Sequence, residues 1–222
     1  MELMMNLPDL ADQLQTADLG ELKNDLRAWL EVDLGGECTA HPLGFFLFRV
    51  WTTDAVTLRL HYWPAKLRPQ PVALTPIHDH VWHLRSRVLL GQLTNIVVEV
   101  EDQRSGEYDL GVITQIDRQD AVSPTDRRVA IRREIRSIHA AGDYYELVPG
   151  IFHFTEVPDN NATATIVRSE VMQSGGPRTL LPHGVGGHSP ERHVLEVVDR
   201  ERVARELALL FTDNRARELP PV

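Results

Sequence analysis

Hydrophobic and polar positions along the 222-residue chain follow two periods. Between residues 7 and 33 the apolar positions recur at helical spacing. Leu10 and Leu14 share one face. Leu19, Leu22, Leu26 and Leu30 share another, behind Asp18, an N-cap with Glu21 three residues on. "LGGE" at 34–37 ends that region. From about residue 43 to 173 the period falls to two. "FFLFRVWTT" and "VTLRLHYWP" predict strands around a turn at Thr53–Ala55. "RSRVLL" and "LTNIVVEVE" flank Gly91–Gln92 and predict a hairpin. "RRVAIRREIRSI", "DYYELV", "IFHFTEV" and "ATATIVRSEV" predict further short strands, and the polar stretch 103–127 a long hairpin loop. Residues 174–189, rich in glycine and proline, predict loop. Ser189–Pro190 predicts a helix start, with Val194, Leu195, Val198, Val203, Leu207 and Leu210 as its apolar stripe. There is no internal repeat.

Many short strands between terminal helices predict a mainly β protein, a sandwich or barrel. The expected layout is an N-terminal helical extension over 1–38, a barrel over 39–175, and over 176–222 a loop and a helix that packs on the barrel. The content, 42% hydrophobic and 25% charged, is that of an ordinary globular chain. The net charge of −9 disfavours nucleic acid and anionic membranes as partners. Arg127, Arg128, Arg132, Arg133 and Arg136 cluster, but acids interleave with them, as on a solvated strand face. Cys38 is the only cysteine, so no intrachain disulfide forms; a small buried hydrophobe is its ordinary role. The first residues lack the pattern of a signal peptide and no stretch is long and apolar enough for a span. A cytoplasmic location is expected.

The chemistry gathers in "PIHDHVWHLRSRVLLGQL", residues 76–93. Successive side chains of a strand alternate between faces, so His78 and His80 point one way and Asp79 the other. That arrangement offers two ligands to one ion. His153, alone in the apolar strand "IFHFTEV", is either a packed core histidine or the third ligand. His83, Tyr145, His61 and His139 are further candidates for the pocket, although packing is the commoner role for such residues. His183 and His188 lie in the glycine-rich loop.

These residues resemble the two signature motifs of the cupin superfamily. In the first, His78 and His80 stand at the paired histidines and Gly91 at the closing glycine, with Leu84 where a glutamate ligand is usual and Val72 at the leading glycine. In the second, Gly142, Gly150 and His153 are correctly spaced, with Pro149 one place late and Val157 at the asparagine position. The resemblance covers about the middle two-thirds of the chain. It implies a jelly-roll β-sandwich or barrel with N-terminal helices and a C-terminal helix, a metal held by His78, His80 and His153, and a tendency to form homodimers. Without the glutamate the ligand set is three imidazoles, which suits Fe(II), Zn, Ni or Cu. That set is similar to the thiol dioxygenases, of which cysteine dioxygenase is the best known. The likeness implies Fe(II), O2 and a small amino acid or thiol as substrate, with Arg49 as the carboxylate-binding arginine. It fails where the family carries Ser-x-His-x-Tyr. Ile166, Arg168 and Glu170 stand there, and Arg168 is expected to read a polar substrate. A metal-dependent isomerase, lyase or hydrolase on the same scaffold, or a non-catalytic binding protein, is the alternative.

Overall fold

The computed structural model describes residues 7–33, 36–116, 119–190 and 192–212. Three helices, α1 (Leu7–Gln13), α2 (Leu19–Asp33) and α3 (Val197–Thr212), accompany twelve strands. The strands are β1 (Cys38–His41), β2 (Phe45–Thr52), β3 (Val56–Trp63), β4 (Trp82–Leu90), β5 (Gln92–Asp102), β6 (Tyr108–Ile116), β7 (Gln119–Ala140), β8 (Tyr144–Leu147), β9 (Phe152–Glu156), β10 (Thr163–Val171), β11 (Arg178–Pro182) and β12 (His193–Val194). They form two antiparallel sheets, in the orders β12-β1-β2-β3-β10-β4-β8 and β11-β6-β7-β5-β9. The expected mainly β sandwich with terminal helices is the fold observed.

Alternation along the strands of the first sheet sorts its residues. Phe48, Leu58, Leu60, Tyr62 and Ile166 pack with Leu10, Leu14, Leu22, Leu26, Leu30, Leu207 and Phe211 in one core beneath the helices. Asp18 caps α2 as predicted, its Oδ1 accepting from Gly20 N (2.8 Å) and Glu21 N (3.0 Å). A second core, of Ile77, Ile96, Val98, Leu110, Val129, Phe152 and Leu180, belongs to the second sheet. That sheet closes on itself. His78 pairs with His153 of β9 on one side and Thr179 of β11 on the other, so one short segment joins the two edge strands. His78 N donates to His153 O (3.1 Å), His153 N to His78 O (2.9 Å) and Asp79 N to Arg178 O (2.8 Å).

Four expectations are corrected. The stretch 103–127 is not a long loop: β6 and the start of β7 occupy most of it, paired from Tyr108↔Val129 to Ile116↔Gln119. Part of the glycine-rich stretch is β11, held to β6 by the pairing Leu180↔Leu110. No helix starts at Ser189–Pro190, because Val194 pairs with Thr39 and Leu195 N donates to Cys38 O; the helix begins at Val197. Gly91 does not close a hairpin, since β4 pairs with β10 and β8 while β5 pairs with β7 and β9. At Gly91 the chain passes between sheets with φ +71°, and a Cβ there would meet Ala162 O at 2.3 Å. Among the described residues no helix is long and apolar enough to cross a membrane.

Candidate metal centre

His78, His80 and His153 converge. One ring nitrogen from each lies within 4.8 Å of the others, and the ring centroids are 4.7–5.0 Å apart. The local backbone aims them. His78 Nδ1 lies 2.8 Å from Pro76 O and His153 Nδ1 lies 3.0 Å from Ile151 O. A carbonyl only accepts, so each Nδ1 carries the proton and each Nε2 keeps its lone pair for the cluster. Burial holds all three imidazoles neutral. It lowers His153 to about 3 with help from His78, and it lowers His80 well below the ordinary range, with His78 and His153 adding to it. For His78 burial again dominates, partly opposed by the bond to Pro76 and by Asp79. Neutral nitrogen donors converging on one point suit iron, zinc, copper or nickel. The residues present therefore fit a metal ion.

Asp79 points away from the cluster, as its place between the histidines requires, and pins the ligand segment. Its carboxylate, 3% exposed, accepts from Arg178 N (2.6 Å) and Nε (2.7 Å) and lies 2.5 Å from Nη2. The same guanidinium lies over the ring of Phe152, the residue before His153.

The cluster opens into a cavity of about 300 Å³ between the sheets. Arg59 is the charged group nearest in character to a substrate anchor. It lines the cavity over the Trp82 ring (5.5 Å), and no carboxylate among the described residues lies within ion-pair reach. Burial, then Arg192 and Arg49, lower it to about 10, so it stays charged at neutral pH. Several polar atoms of the wall are buried without a partner: His61 Nε2, His80 Nδ1 and Trp82 Nε1. Native interiors seldom leave such atoms unmet, so this wall suits a polar occupant.

The other sequence candidates divide. Tyr145 lines the cavity, stacked on His139 (4.5 Å), with burial raising its phenol. Leu84 also faces the cavity, so no carboxylate replaces the usual glutamate there. Arg49 reaches only the rim. Its side chain is 57% exposed and lies 3.8 Å from Glu37, and Arg59, opposite it on β3, occupies the interior. His83 faces away from the cavity, bonded to Glu146 at 2.8 Å, with Tyr144 on the same carboxylate. Arg168 does not look into the barrel. It pairs with Glu170 (2.7 Å) and with Asp12 of α1 (3.6 Å), because Ile166, two residues earlier on the same face, lies under the helices. His183 bonds Asp109 outside the cluster, while His188 lines the cavity. Cys38 is fully buried, its thiol pushed up to about 12, as suits a small hydrophobe. Arg59 was missed because two arginines of similar spacing lie on adjacent strands, and period two alone does not say which is deeper.

Two antiparallel sheets folded together, with a His-x-His segment and a third histidine brought to one point between them, define the architecture. The fold is the mainly β sandwich that the resemblance in the motifs implies. No protein-family model matches the chain, and no curated relative does. Solved structures similar to it include DMSP lyase DddQ from Ruegeria pomeroyi DSS-3 (15% identity, TM-score 0.36, 64% of this chain and 54% of that one). A variant oxalate decarboxylase from Bacillus subtilis matches at 12% identity and TM-score 0.37, over 63% of this chain and 29% of its own. A protein of unknown function with a cupin-like fold from Ralstonia eutropha matches at 13% identity and TM-score 0.36, over 81% and 84%. The chain thus spans about half or less of the two enzymes, and likenesses this distant do not extend to an activity.

Proposed function

We propose that the protein is a mononuclear metal-dependent enzyme, a non-haem Fe(II) oxygenase acting on a small carboxylate-bearing metabolite such as an amino acid or thiol. The observation that carries the reading is the convergence of three neutral imidazoles on a cavity whose one unpaired cation is Arg59 among the described residues. An iron ion at the cluster would supply open coordination positions for substrate and O2. The chain's own residues do the rest. Arg59 presents a planar fork to a carboxylate and, being desolvated, holds it more tightly than a surface arginine could. Trp82, stacked on His80 at 4.8 Å, limits the space beside the cluster and keeps water from it. Tyr145, hydrogen-bonded with Ser86, holds a phenolic proton at the cavity wall.

Tyr145 also favours a second reading, a lyase or isomerase in which the ion acts as a Lewis acid and O2 takes no part. The face that carries Ser-x-His-x-Tyr in thiol dioxygenases is here turned under the helices, which removes that set from the cavity. Tag-free protein, loaded with Fe(II) and offered amino acids and thiols in an oxygen electrode, separates the readings. Oxygen uptake that requires iron and is lost in His153→Ala supports the oxygenase. Turnover without oxygen uptake supports the lyase. Failure to bind any of Fe(II), Zn(II) or Ni(II) overturns both and leaves a metal-free binding protein.

A further inference from the structure

His41, at the end of β1, lines the same cavity as the three ligand histidines. A contact within the turn that follows fixes its tautomer. Leu43 N lies 3.3 Å from His41 Nδ1, and a backbone N–H only donates, so Nδ1 accepts. Burial, and then Arg192, His61, His78 and Arg59, hold the ring well below its ordinary titration range. It is neutral, and its single proton sits on Nε2. His78 and His153 are the reverse, with the proton on Nδ1 and a lone pair turned to the cluster. His41 is therefore built as a donor and not as a fourth ligand. Phe45, opposite it on β2, stacks on the ring at 4.3 Å and sets its plane. The Nε2–H has no partner among the described residues.

The strand register separates this donor from Arg59. His41 faces Phe45 on β2, four residues before Arg49, and Arg49 faces Arg59 on β3. Four residues of strand span about 13 Å. Arg59 leans farther off, with its guanidinium over Trp82. On β10, Thr163 lies opposite Trp63, Val167 opposite Arg59 and Val171 opposite Trp82, so the lean runs away from the His41 end. One carboxylate held by Arg59 does not also reach His41. Leu47 and the neutral ring of His61, paired across β2 and β3, stand between the two rows. We infer that His41 is a second anchoring donor, and that the substrate carries an oxygen acceptor at the end remote from the carboxylate that Arg59 holds. Resting on the role of Arg59 proposed above, this narrows the substrate from any small carboxylate to one with two oxygen functions joined by an apolar stretch. A compact amino acid engages one donor only.

The alternative is that water meets the Nε2–H and His41 only packs on Phe45. Dicarboxylates and the monocarboxylates of equal length decide between them, as binding probes on the full chain, metal-free and loaded with Zn(II). The pairs are butanedioate with butanoate, pentanedioate with pentanoate, and hexanedioate with hexanoate. By calorimetry at least one dicarboxylate should bind about tenfold or more tighter than its partner, the worth of one hydrogen bond to a charged group. In His41→Phe, which keeps a ring on Phe45, that advantage should vanish while monocarboxylate affinity and zinc content stay unchanged. Nitrogen NMR of isotope-labelled histidine, assigned with the same variant, should show His41 protonated at Nε2 and that N–H shifted by the dicarboxylate alone. A proton on Nδ1 overturns the inference. So do dicarboxylates that bind no tighter than their partners, or a variant that weakens both probes equally, which is the mark of a packing role. Neither readout needs turnover or oxygen. A dicarboxylate advantage that His41→Phe removes upholds the second donor even where no reaction follows. Metal-dependent turnover of a monocarboxylate without that advantage overturns the second donor while the proposed enzyme stands.

Discussion

On β4, Trp82, Leu84 and Ser86 look into the cavity, while His83, Arg85 and Arg87 look out toward the helices and β8. Most outward polar atoms are engaged, Arg87 Nε and Arg168 Nε being the exceptions. His83 and Arg85 share Glu146, and Arg87 donates to Leu14 O and Gln15 O at the end of α1. Across on β10, Arg168 holds Glu170 and Asp12. The inward groups are left open: Trp82 Nε1 has no partner, and Arg59 has no carboxylate among the described residues. Both faces therefore carry charge and imidazole, but the outer one has spent most of its charged hydrogen-bonding capacity on carboxylates and carbonyls. A finished network fixes the helices to the sheet. An unfinished one around three neutral imidazoles has capacity reserved for something that arrives later.

The sharpest break of this comparison is His153→Ala. Metal binding should fall by more than the about 100-fold that loss of an outer partner costs, with the fold retained. Metal content and circular dichroism measured together check this, and a variant that binds metal normally would remove the centre. Asp79→Asn comes next. It leaves Arg178 facing a neutral partner and should cost about 3 kcal/mol of stability, with metal affinity down about 10–100-fold, read by denaturant titration and metal competition. Arg59→Ala should leave metal content intact and raise KM for a carboxylate substrate about 100-fold, in line with about 2–5 kcal/mol for a desolvated charge partner. An unchanged KM would return the anchoring role to the rim. At the small end, His83→Ala and Arg168→Ala should leave kcat/KM within about twofold and cost about 1 kcal/mol of stability.

Acid gives a further contrast on the inner face. Burial, and then Arg59, lower His61 to about 3, against an ordinary value near 6.5 in the unfolded chain. The unfolded state gains this proton as the pH drops below about 6.5, and the folded state gains it only near 3. The neutral imidazole thus contributes stability above about 6.5 that is lost as the pH falls toward 3. His61→Phe keeps a ring against Phe45 and Trp63 and should flatten the fall of Tm between those limits. Equal slopes in wild type and variant would show that His61 does not stay neutral.

How much the sequence disclosed follows the same inside–outside division. The strands were legible wherever apolar residues alternated, and the ligand segment was legible because two histidines two apart must share a face. His153 became visible only by its company. The choice of face was not legible on β10, where Ile166, Val167 and Ala164 are all buried and period two gives no preference. That is why Arg168 looks inward on paper and outward in the fold. β6 and the start of β7 were missed because their polar, turn-rich residues are strands by virtue of their neighbours, not of their own pattern.

The segment 77–79 has a dynamic consequence. It is the last stave of the closed sheet, held by single pairings to β9 and β11, and it carries His78. Any opening of that ring must separate His78 from His153, which share both a backbone pairing and the cluster. A bound ion would therefore act as a latch on the ring, and loading it should slow solvent exchange of the His78, His153 and Leu180 amide hydrogens together. The rate at which those three amides exchange would then serve as a clock of how often the centre stands empty.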